Sequence, residues 1–550
     1  MTEPAANLPT VTPAAPGESA MGGALEGASR TSRELASWKP AIISPDQAIN
    51  AEKPFLDSRA RDLTLNDGLI QGAVSVRKDS IIGATYRLNA RPDHRVIFGE
   101  DSEAGRSWAE AFQIAAESRF NLAAESRDCW FDASGRQTFT GMLRLAVGVF
   151  CYTGEGLATS EWKDQSRRPF KTAIQQVSSD RLSNPDGYED TKTLRRGIRM
   201  DRYGEHLGYH IQMGHPSEFY DFRNLKWKYI AARKPWGRKQ VLYYNDPIQI
   251  DQSRGVSDMV AALEHCKMTK QFSRLRLQKA VVSASYAAAV ESELPNPDIV
   301  AAMGGGADGY EKSMGLYMEM LGEYLGEAEN VKIDGVQIPH FFPGTKLNFQ
   351  GMGGKEDGSD QYYESLLRHV AATLGISYEA LSRDFSQLSY SSQKASMAVE
   401  HRSMQAKKTM FADAFATDIY TLWLEEEIAA GNLPLPPGRN RTDFYRPLMK
   451  EAYSRCRWIG TGKGQIDELK ETQAAIMRIK GGLSTWEIEC ARLGIDFREL
   501  VDQRRAEAAL IAAAGLEFDL SPQKQGGNNT MNESGDTDEG TQDNGSQTDE

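Results

Sequence analysis

The feature that most constrains the fold is a long stretch, residues 256–292, that contains neither glycine nor proline. These two residue types weaken a helix most, so their absence favours an uninterrupted helix. At 1.5 Å per residue, a helix of this length would extend about 55 Å. Val256, Val260 and Leu263 begin an apolar stripe along it, and Pro295 marks its expected end. The chain is therefore expected to contain one helix much longer than the average of globular proteins.

Two further helical stretches follow, separated from the first by a glycine-rich insert. Within the insert, VKIDGVQI (331–338) predicts a β-hairpin, because Asp-Gly between strand-like residues favours a two-residue turn. The second helix is predicted to start near Asp360, and a polar stretch at 382–393 interrupts it. A third helix is predicted over 394–430 and should end near Gly431. The predicted order is thus helix, insert, helix, loop, helix.

The rest of the chain predicts a mixed block before these helices and a helical block after them. Between residues 85 and 250, helix and strand patterns alternate, which indicates a helix-rich α+β fold. Asp57 is expected to cap a helix that runs to Ile82, just before Gly83. The segment 484–487 has the S-x-x-E pattern of a capping box. The other predicted elements are helices at 106–125, 466–480 and 497–514, and strands within 197–213 and 241–250.

The charge of the chain excludes one class of nucleic-acid-binding protein. The 550 residues contain 64 Lys and Arg against 76 Asp and Glu, a formal net charge of −12. Residues 521–550 hold seven acids and one base, so this segment carries −6 and the remaining chain −6. A protein that coats nucleic acid usually has a large basic excess. The segment 521–550 has no aromatic residue and is expected to be disordered.

Cysteine spacing favours a reducing compartment, and hydropathy predicts no membrane helix. The five cysteines are widely spaced and never form a CxxC pair, which argues against a disulfide scaffold or a cysteine zinc site. No apolar run approaches the ~18 residues of a membrane helix. The first thirty residues are rich in Ala, Pro and Gly and do not resemble a secretory signal.

Each candidate catalytic or metal-binding motif in the sequence lacks part of its pattern. Ser391 and Lys394 fit S-x-x-K, but the companion S-D-N and K-T-G elements are absent. The stretches GMGGKE (351–356) and GTGKG (460–464) lack the spacing of a phosphate-binding loop. His206 and His210 lie in a predicted strand, where an i,i+4 spacing does not bring two ligands together. We therefore predict no catalytic residue, no metal site, no cofactor and no enzymatic activity.

Two basic clusters are candidates for nucleic-acid or subunit contacts. The segment 222–244 interleaves basic and aromatic residues, a composition that could grip a nucleic-acid backbone and stack bases; a solvated sheet face or a subunit contact is the alternative. The predicted long helix carries a basic face that could meet DNA phosphates or pair with acids of a neighbouring subunit, and we prefer the pairing. This stem basic face consists of Lys267, Lys270, Arg274, Arg276 and Lys279.

Several segments resemble portal proteins of lambda-like tailed bacteriophages. They include SWKP (37–40), RARDLTLNDGLIQGAVSVRKDSIIGATYRL (59–88), LLRHVAATLGISYEALSRDFSQLSYSS (366–392), CRWIGTGKGQID (456–467) and GLSTWEIECARLG (482–494). Further similar segments are SSDRLSNP (178–185) and VESEL (290–294). The resemblance covers about residues 37–500 and is weak in 300–330 and at both termini.

The resemblance implies a dodecameric ring at one capsid vertex of the virion, assembled in the host bacterial cytoplasm. In this family the ring nucleates head assembly and joins head to tail, and double-stranded DNA passes through its channel without sequence specificity. The implied partners are the terminase large subunit, the major capsid and scaffold proteins, and head-completion or adaptor proteins. No membrane partner is implied. The family also trims its N terminus with a head protease.

The resemblance also divides the chain into the wing, stem, clip and crown regions of the portal fold. The expected boundaries are a flexible, removable segment 1–40, wing 41–252, first stem helix 253–292, clip 293–352, second stem helix 353–376, tunnel loop 377–393, long wing helix and return 394–462, crown 463–518 and an acidic tail 519–550. The residues expected to line the DNA channel at the tunnel loop are Tyr378, Arg383, Gln387, Tyr390 and Ser391.

Sparse charge in the expected tunnel loop suits a conduit, because each phosphate contact strengthens binding and slows passage. The alternative for each of these residues is packing between subunits. Two other protein classes remain open at this point: another capsid adaptor or connector, and a nucleic-acid-processing enzyme that uses the 222–244 segment.

Overall fold

The computed structural model describes residues 26–28, 32–218, 226–286, 359–386, 389–462, 464 and 467–514, with short pieces at 315, 318–319, 322, 332–333 and 336–337. Contacts divide the chain into two compact units, residues 1–473 and 474–550. Each unit is described by itself below.

Helices dominate the described residues, and short strands accompany them. The α-helices are α1 (Pro45–Asn50), α2 (Lys53–Asn66), α3 (Gly68–Ile81), α4 (His94–Phe98), α5 (Glu103–Glu125), α6 (Phe139–Thr153), α7 (Leu263–Tyr286), α8 (Ser359–Leu374), α9 (Tyr378–Ser382), α10 (Tyr390–Lys407), α11 (Ala414–Ala430), α12 (Met449–Ser454), α13 (Glu468–Lys480), α14 (Trp486–Arg492) and α15 (Phe497–Ala513). The strands are β1 (Arg87–Ala90), β2 (Glu155–Trp162), β3 (Thr172–Gln176), β4 (Leu194–Arg195), β5 (Ile198–Met200), β6 (His206–Gln212), β7 (Trp227–Ala231), β8 (Val241–Asn245), β9 (Lys332–Ile333), β10 (Val336–Gln337) and β11 (Cys456–Ile459). The predicted helix-rich α+β fold is confirmed.

The first predicted helix is two helices, so its predicted start was wrong. Asp57 does not cap a helix; it lies inside α2, buried beside Lys53 at 3.0 Å. Asp67 separates α2 from α3, because its carboxylate accepts a hydrogen bond from the backbone N–H of Leu69 at 3.0 Å. The predicted end is confirmed, since Gly83 follows α3 with a φ of +81°.

The core of the first unit is an aromatic cluster between α5, α6 and α11. The ring of Phe120 in α5 lies 5.2 Å from the rings of both Phe139 and Trp423, and 4.8 Å from that of Phe131. Such edge-to-face pairs add to the free energy gained by burying the rings themselves. Phe120 and Phe139 are buried at 0 and 1% exposure. Helices α5, α6 and α11 are therefore held together by one continuous apolar core.

Strands of the first unit pair antiparallel. In spatial order, the sheets are β3-β2-β8, β4-β5-β6-β7 and β1-β11, and β9 pairs with β10. The predicted strands around 201–205 are confirmed as β5 and β6. Strand β8 lies at a sheet edge next to Pro247, as its sequence predicted. Strands β9 and β10 pair on either side of the predicted Asp-Gly turn, with Val336 opposite Ile333, and the two turn residues themselves lie outside the described residues.

Helices α7 and α8, which cover the described parts of the two expected stem helices, run antiparallel. The rings of His265 and His369 lie 4.2 Å apart, and Arg276 Nη1 lies 2.5 Å from Asp360. Residues later in α7 thus contact residues earlier in α8, as expected for antiparallel helices. The predicted helical start at Val256 is corrected: residues 258–262 form a 3₁₀ turn, and the α-helix begins at Leu263. The predicted part beyond residue 286, and most of the predicted clip, lie outside the described residues.

A buried ion cluster holds the segment that precedes α7 against α2 and β2. Glu155 Oε1 lies 2.5 Å from Arg254 Nη2 and 3.5 Å from Lys53 Nζ, and Lys53 also donates to the Gly255 carbonyl at 2.8 Å. Burial would raise the pKa of Glu155, but Arg254 and Lys53 lower it to about 2. Burial raises the pKa of Asp57 to about 6 although Lys53 opposes this. The cluster therefore joins α2, β2 and the segment that leads to α7.

The third predicted helix is continuous from Tyr390 to Ala430, with one irregular turn. Residues Lys408–Asp413 form a π-helix between α10 and α11. Lys408 Nζ donates to Asp413 at 2.7 Å and to the Trp458 carbonyl at 3.1 Å. The predicted end at Gly431 is confirmed, since this residue caps α11 with a φ of +83°.

The second unit, as far as it is described, consists of residues 474–514. It contains the end of α13, α14 and α15. The predicted capping box is wrong: Thr485, not Ser484, is the N-cap, and its hydroxyl accepts the backbone N–H of Ile488 at 3.3 Å. The residue at N3 is then Ile488, whose side chain has no polar group for the reciprocal hydrogen bond. Glu489 in α14 is held by Arg478 at 2.8 Å.

Candidate functional site: the tunnel loop and the stem basic face

The expected tunnel loop is partly helical. Helix α8 ends at Leu374, and Gly375 turns the chain with a φ of +68°. The Ser377 hydroxyl then caps the short helix α9 by accepting the N–H of Ala380 at 3.2 Å. The non-helical part starts at Arg383, and α10 begins at Tyr390. The loop proper is therefore shorter than the expected 377–393.

Tyr378 is engaged within the chain. It is half-buried at the start of α9, and its hydroxyl donates to Glu364 of α8 at 3.4 Å. The guanidinium of Arg368 lies 5.1 Å from the centre of its ring. Burial, followed by the charge of Glu364, raises the pKa of Tyr378. These contacts give Tyr378 a role in joining α8 to α9, whereas its expected contact with DNA stays a prediction.

Three of the expected channel residues are exposed in the described chain. Arg383 adopts a left-handed conformation with a φ of +60° at the end of α9. Tyr390 lies in the first turn of α10, and the ammonium of Lys394 is 5.9 Å from its ring centre. Ser391 also lies in that turn, with its hydroxyl 3.2 Å from that of Ser389. Their exposure leaves them available for contact with another molecule.

Gln387, the remaining expected channel residue, lies outside the described residues. The sequence reasoning missed Phe385, which is 51% exposed on the loop. The signal was an aromatic residue within an otherwise polar stretch, SRDFSQ. An exposed aromatic ring at this place can contact a neighbouring subunit or a passing base pair.

The stem basic face is exposed, but two of its residues have intramolecular partners. All five side chains, Lys267, Lys270, Arg274, Arg276 and Lys279, belong to exposed positions of α7. Lys270 Nζ donates to the Asn66 carbonyl at 2.7 Å, and Arg276 pairs with Asp360 of α8. Exposed ion pairs contribute little to stability. The expected pairing with acids of a neighbouring subunit stays a prediction.

The basic–aromatic segment is anchored to helix α11 over much of its described part. Arg238 Nη1 lies 2.9 Å from Glu425, and Trp236 Nε1 donates to the same carboxylate at 3.1 Å. Lys239 Nζ lies 2.5 Å from Asp418. Residues that neutralise acids inside the fold are not available to bind phosphates. The contacts therefore argue for a structural use of this part, different from both alternatives weighed on the sequence.

The described part of the chain contains no group of three or more His, Cys, Asp or Glu that could hold a metal ion. Within the same residues, no helix is long and apolar enough to cross a membrane. His206 and His210 lie on β6 and contact Tyr209 and Tyr229 respectively.

Comparison with known proteins places the chain in a family. Residues 31–408 match the family model described as phage portal protein, lambda family. The chain belongs to the lambda family of phage portal proteins. The portal protein of Escherichia phage N15 is 35% identical over 489 residues, which cover 88% of this chain and 89% of that protein. Portal protein B of Escherichia phage lambda is 34% identical over 494 residues, with the same coverage of both chains.

These matches confirm the resemblance to the lambda-family portal proteins. Neither the capsid-adaptor alternative nor the nucleic-acid-processing enzyme finds support in them. Among solved structures, a chain from the neck of an empty GTA particle is similar with 12% identity and a TM-score of 0.36, covering 85% of this chain and 99% of that one.

Proposed function

We propose that this portal-family chain assembles into a dodecameric ring whose central channel conducts double-stranded DNA into the phage head and out again. The observation that carries the proposal is the match to lambda-family portal proteins over most of the chain. The ring occupies one capsid vertex of the virion after assembly in the host cytoplasm. It acts as a passive conduit and head–tail connector, without catalysis of its own.

The exposed chemistry of the loop supports this proposal. Between α9 and α10, the described residues carry one cation, Arg383, and one anion, Asp384, so their charges balance. DNA affinity falls steeply when few phosphates are neutralised. Such a surface would contact a duplex without retaining it, which is what a conduit requires.

Partners follow from the same proposal. The terminase large subunit docks on the ring and drives DNA through it, the major capsid and scaffold proteins surround the wing, and head-completion proteins bind later. The stem basic face contributes to contacts between neighbouring subunits. DNA passes without sequence specificity, and no membrane takes part.

The loop is tested by deleting residues 384–390 and measuring ring assembly, packaged DNA and DNA retention in particles. We expect rings of unchanged size and a severalfold loss of packaged or retained DNA. Tyr203→Ser is the matched control, because Tyr203 is another loop aromatic, 79% exposed on the wing, and should leave packaging unchanged. Normal packaging and retention after the deletion would contradict the assignment of the channel loop.

A further inference from the structure

Arg77 is a buried charged residue at the point where the wing meets the stem. It lies on α3 with 2% exposure, on a face otherwise formed by apolar residues. Its Nε donates to the carbonyl of Leu374 at 3.0 Å, and its Nη2 donates to the same oxygen. Leu374 is the last residue of α8. The final carbonyls of a helix lack intrahelical donors, so Arg77 supplies hydrogen-bond donors to the last carbonyl of α8.

The same guanidinium reaches the start of the other stem helix. Arg77 Nη2 lies 3.1 Å from Asp258 Oδ2, in the 3₁₀ turn that leads into α7. Asp258 Oδ2 also pairs with Lys407 Nζ, at the end of α10. Burial would raise the pKa of Asp258, but Lys407 and Arg77 lower it, so the carboxylate stays charged. One ion triad thus joins α3, both stem helices and the helix that follows the loop.

The connection that follows α8 makes hydrogen bonds and close contacts with α8 and α10. Ile376 N–H donates to the Ala371 carbonyl at 3.1 Å, which closes the end of α8. Ser377 Oγ donates to Glu400 of α10 at 2.8 Å. A Cβ on Gly375 would lie 3.3 Å from Ser403 Oγ, so the backbone passes close to α10. The path of residues 375–386 therefore depends on where α8 ends.

We propose that Arg77, acting with Asp258 and Lys407, is a positioning residue that sets the place of the connection 375–386 relative to the stem. It touches no DNA. It acts by holding the Leu374 carbonyl and the start of α7 to the wing, so that the chain leaves α8 in one direction. The inference rests on the proposed function only for its consequence in DNA retention.

Hydrogen–deuterium exchange of the assembled full chain tests this proposal directly. In Arg77→Met and in Lys407→Met, amides of 375–386 and of 258–262 should exchange about tenfold faster, since charged hydrogen bonds that close the junction are lost. Lys407→Arg keeps the charge and should restore the wild-type rate. Arg61→Met is the matched control: it removes the wing ion pair with Asp180 at 2.6 Å, away from the connection.

The outcomes separate this inference from the proposed function. Wild-type exchange in both Met variants, or faster exchange that is spread equally over the core helix 139–153, would overturn the positioning role. If Arg77→Met does not fold, Lys407→Met and Lys407→Arg decide the matter alone. Faster exchange confined to 375–386 and 258–262 supports the role; if DNA retention is then normal, the channel function of the loop fails while the positioning role stands.

Discussion

The buried carboxyl of Asp57 makes the stability of the first unit depend on pH in a predictable direction. Burial is the largest influence on it, and together with the charge of Glu155 it raises the pKa of Asp57 from 3.8 to about 6 against the opposing charge of Lys53. Between these two pH values the folded chain binds a proton that the unfolded chain does not. The contribution of Asp57 to the free energy of unfolding is therefore largest at low pH and falls as the pH rises through about 6.

The size of this effect follows from the shift. About two pKa units at roughly 1.4 kcal/mol each correspond to about 3 kcal/mol. In Asp57→Asn the side chain cannot ionise, so this loss is absent. The difference in free energy of unfolding, Asp57→Asn minus wild type, should rise by about 2.5 kcal/mol between pH 4 and pH 7.5, because a small part of the full change lies below pH 4. Any offset from the altered contact with Lys53 does not change that slope.

Denaturant unfolding followed by tryptophan fluorescence, at a series of pH values, measures the difference. Buried histidines such as His206 titrate in both proteins, so their contribution cancels. Asp101→Asn is the control: a hydrogen bond from Arg106 contributes most to lowering the pKa of Asp101 to about 2, so no rise is expected above pH 4. A flat or falling difference for Asp57→Asn would refute the reasoning.

Three further predictions concern packing, an ion pair and the acidic segment. Gly154→Ala should lower the melting temperature by several degrees, because its φ is +72° and a Cβ would lie 2.1 Å from the carbonyl carbon of Val256; an unchanged melting temperature would contradict this packing. Lys239→Met should lower the free energy of unfolding by about 1–3 kcal/mol in denaturant unfolding, since Asp418, in a mostly buried place, loses its charged partner and retains the hydrogen bond from the Tyr244 hydroxyl; a loss below ~0.5 kcal/mol would show that the ion pair contributes little to stability. Removing residues 521–550 should change the melting temperature by no more than about 1 °C, because the segment has no aromatic residue to bury; a drop of many degrees would argue for a docked segment.

Sequence patterns predicted helices and turns best where local chemistry alone decides them. The stop at Gly431 follows from a left-handed backbone conformation that few residues other than glycine adopt, and β9 and β10 pair on either side of the predicted Asp-Gly turn. Helix starts were predicted less well. Asp57 resembles a cap in the sequence, but its partner Lys53 lies upstream in the same helix, and Asp67 takes the capping role.

Long-range partners could not be read from the sequence. Arg238 and Lys239 belong to a basic run, and the acids that neutralise them follow about 180 residues later on α11. The role of Arg77 was missed for the same reason, since its partners Leu374 and Asp258 are remote. The available signal was its place among the apolar positions of α3, where a charge requires a buried partner.

The central claim is that this portal-family chain forms a ring that conducts DNA, and electron microscopy of the purified full chain tests it most directly. The account predicts closed twelve-fold rings with a central opening wide enough for a DNA duplex. Only compact monomers at high protein concentration, or rings whose opening is too narrow for a duplex, would contradict it.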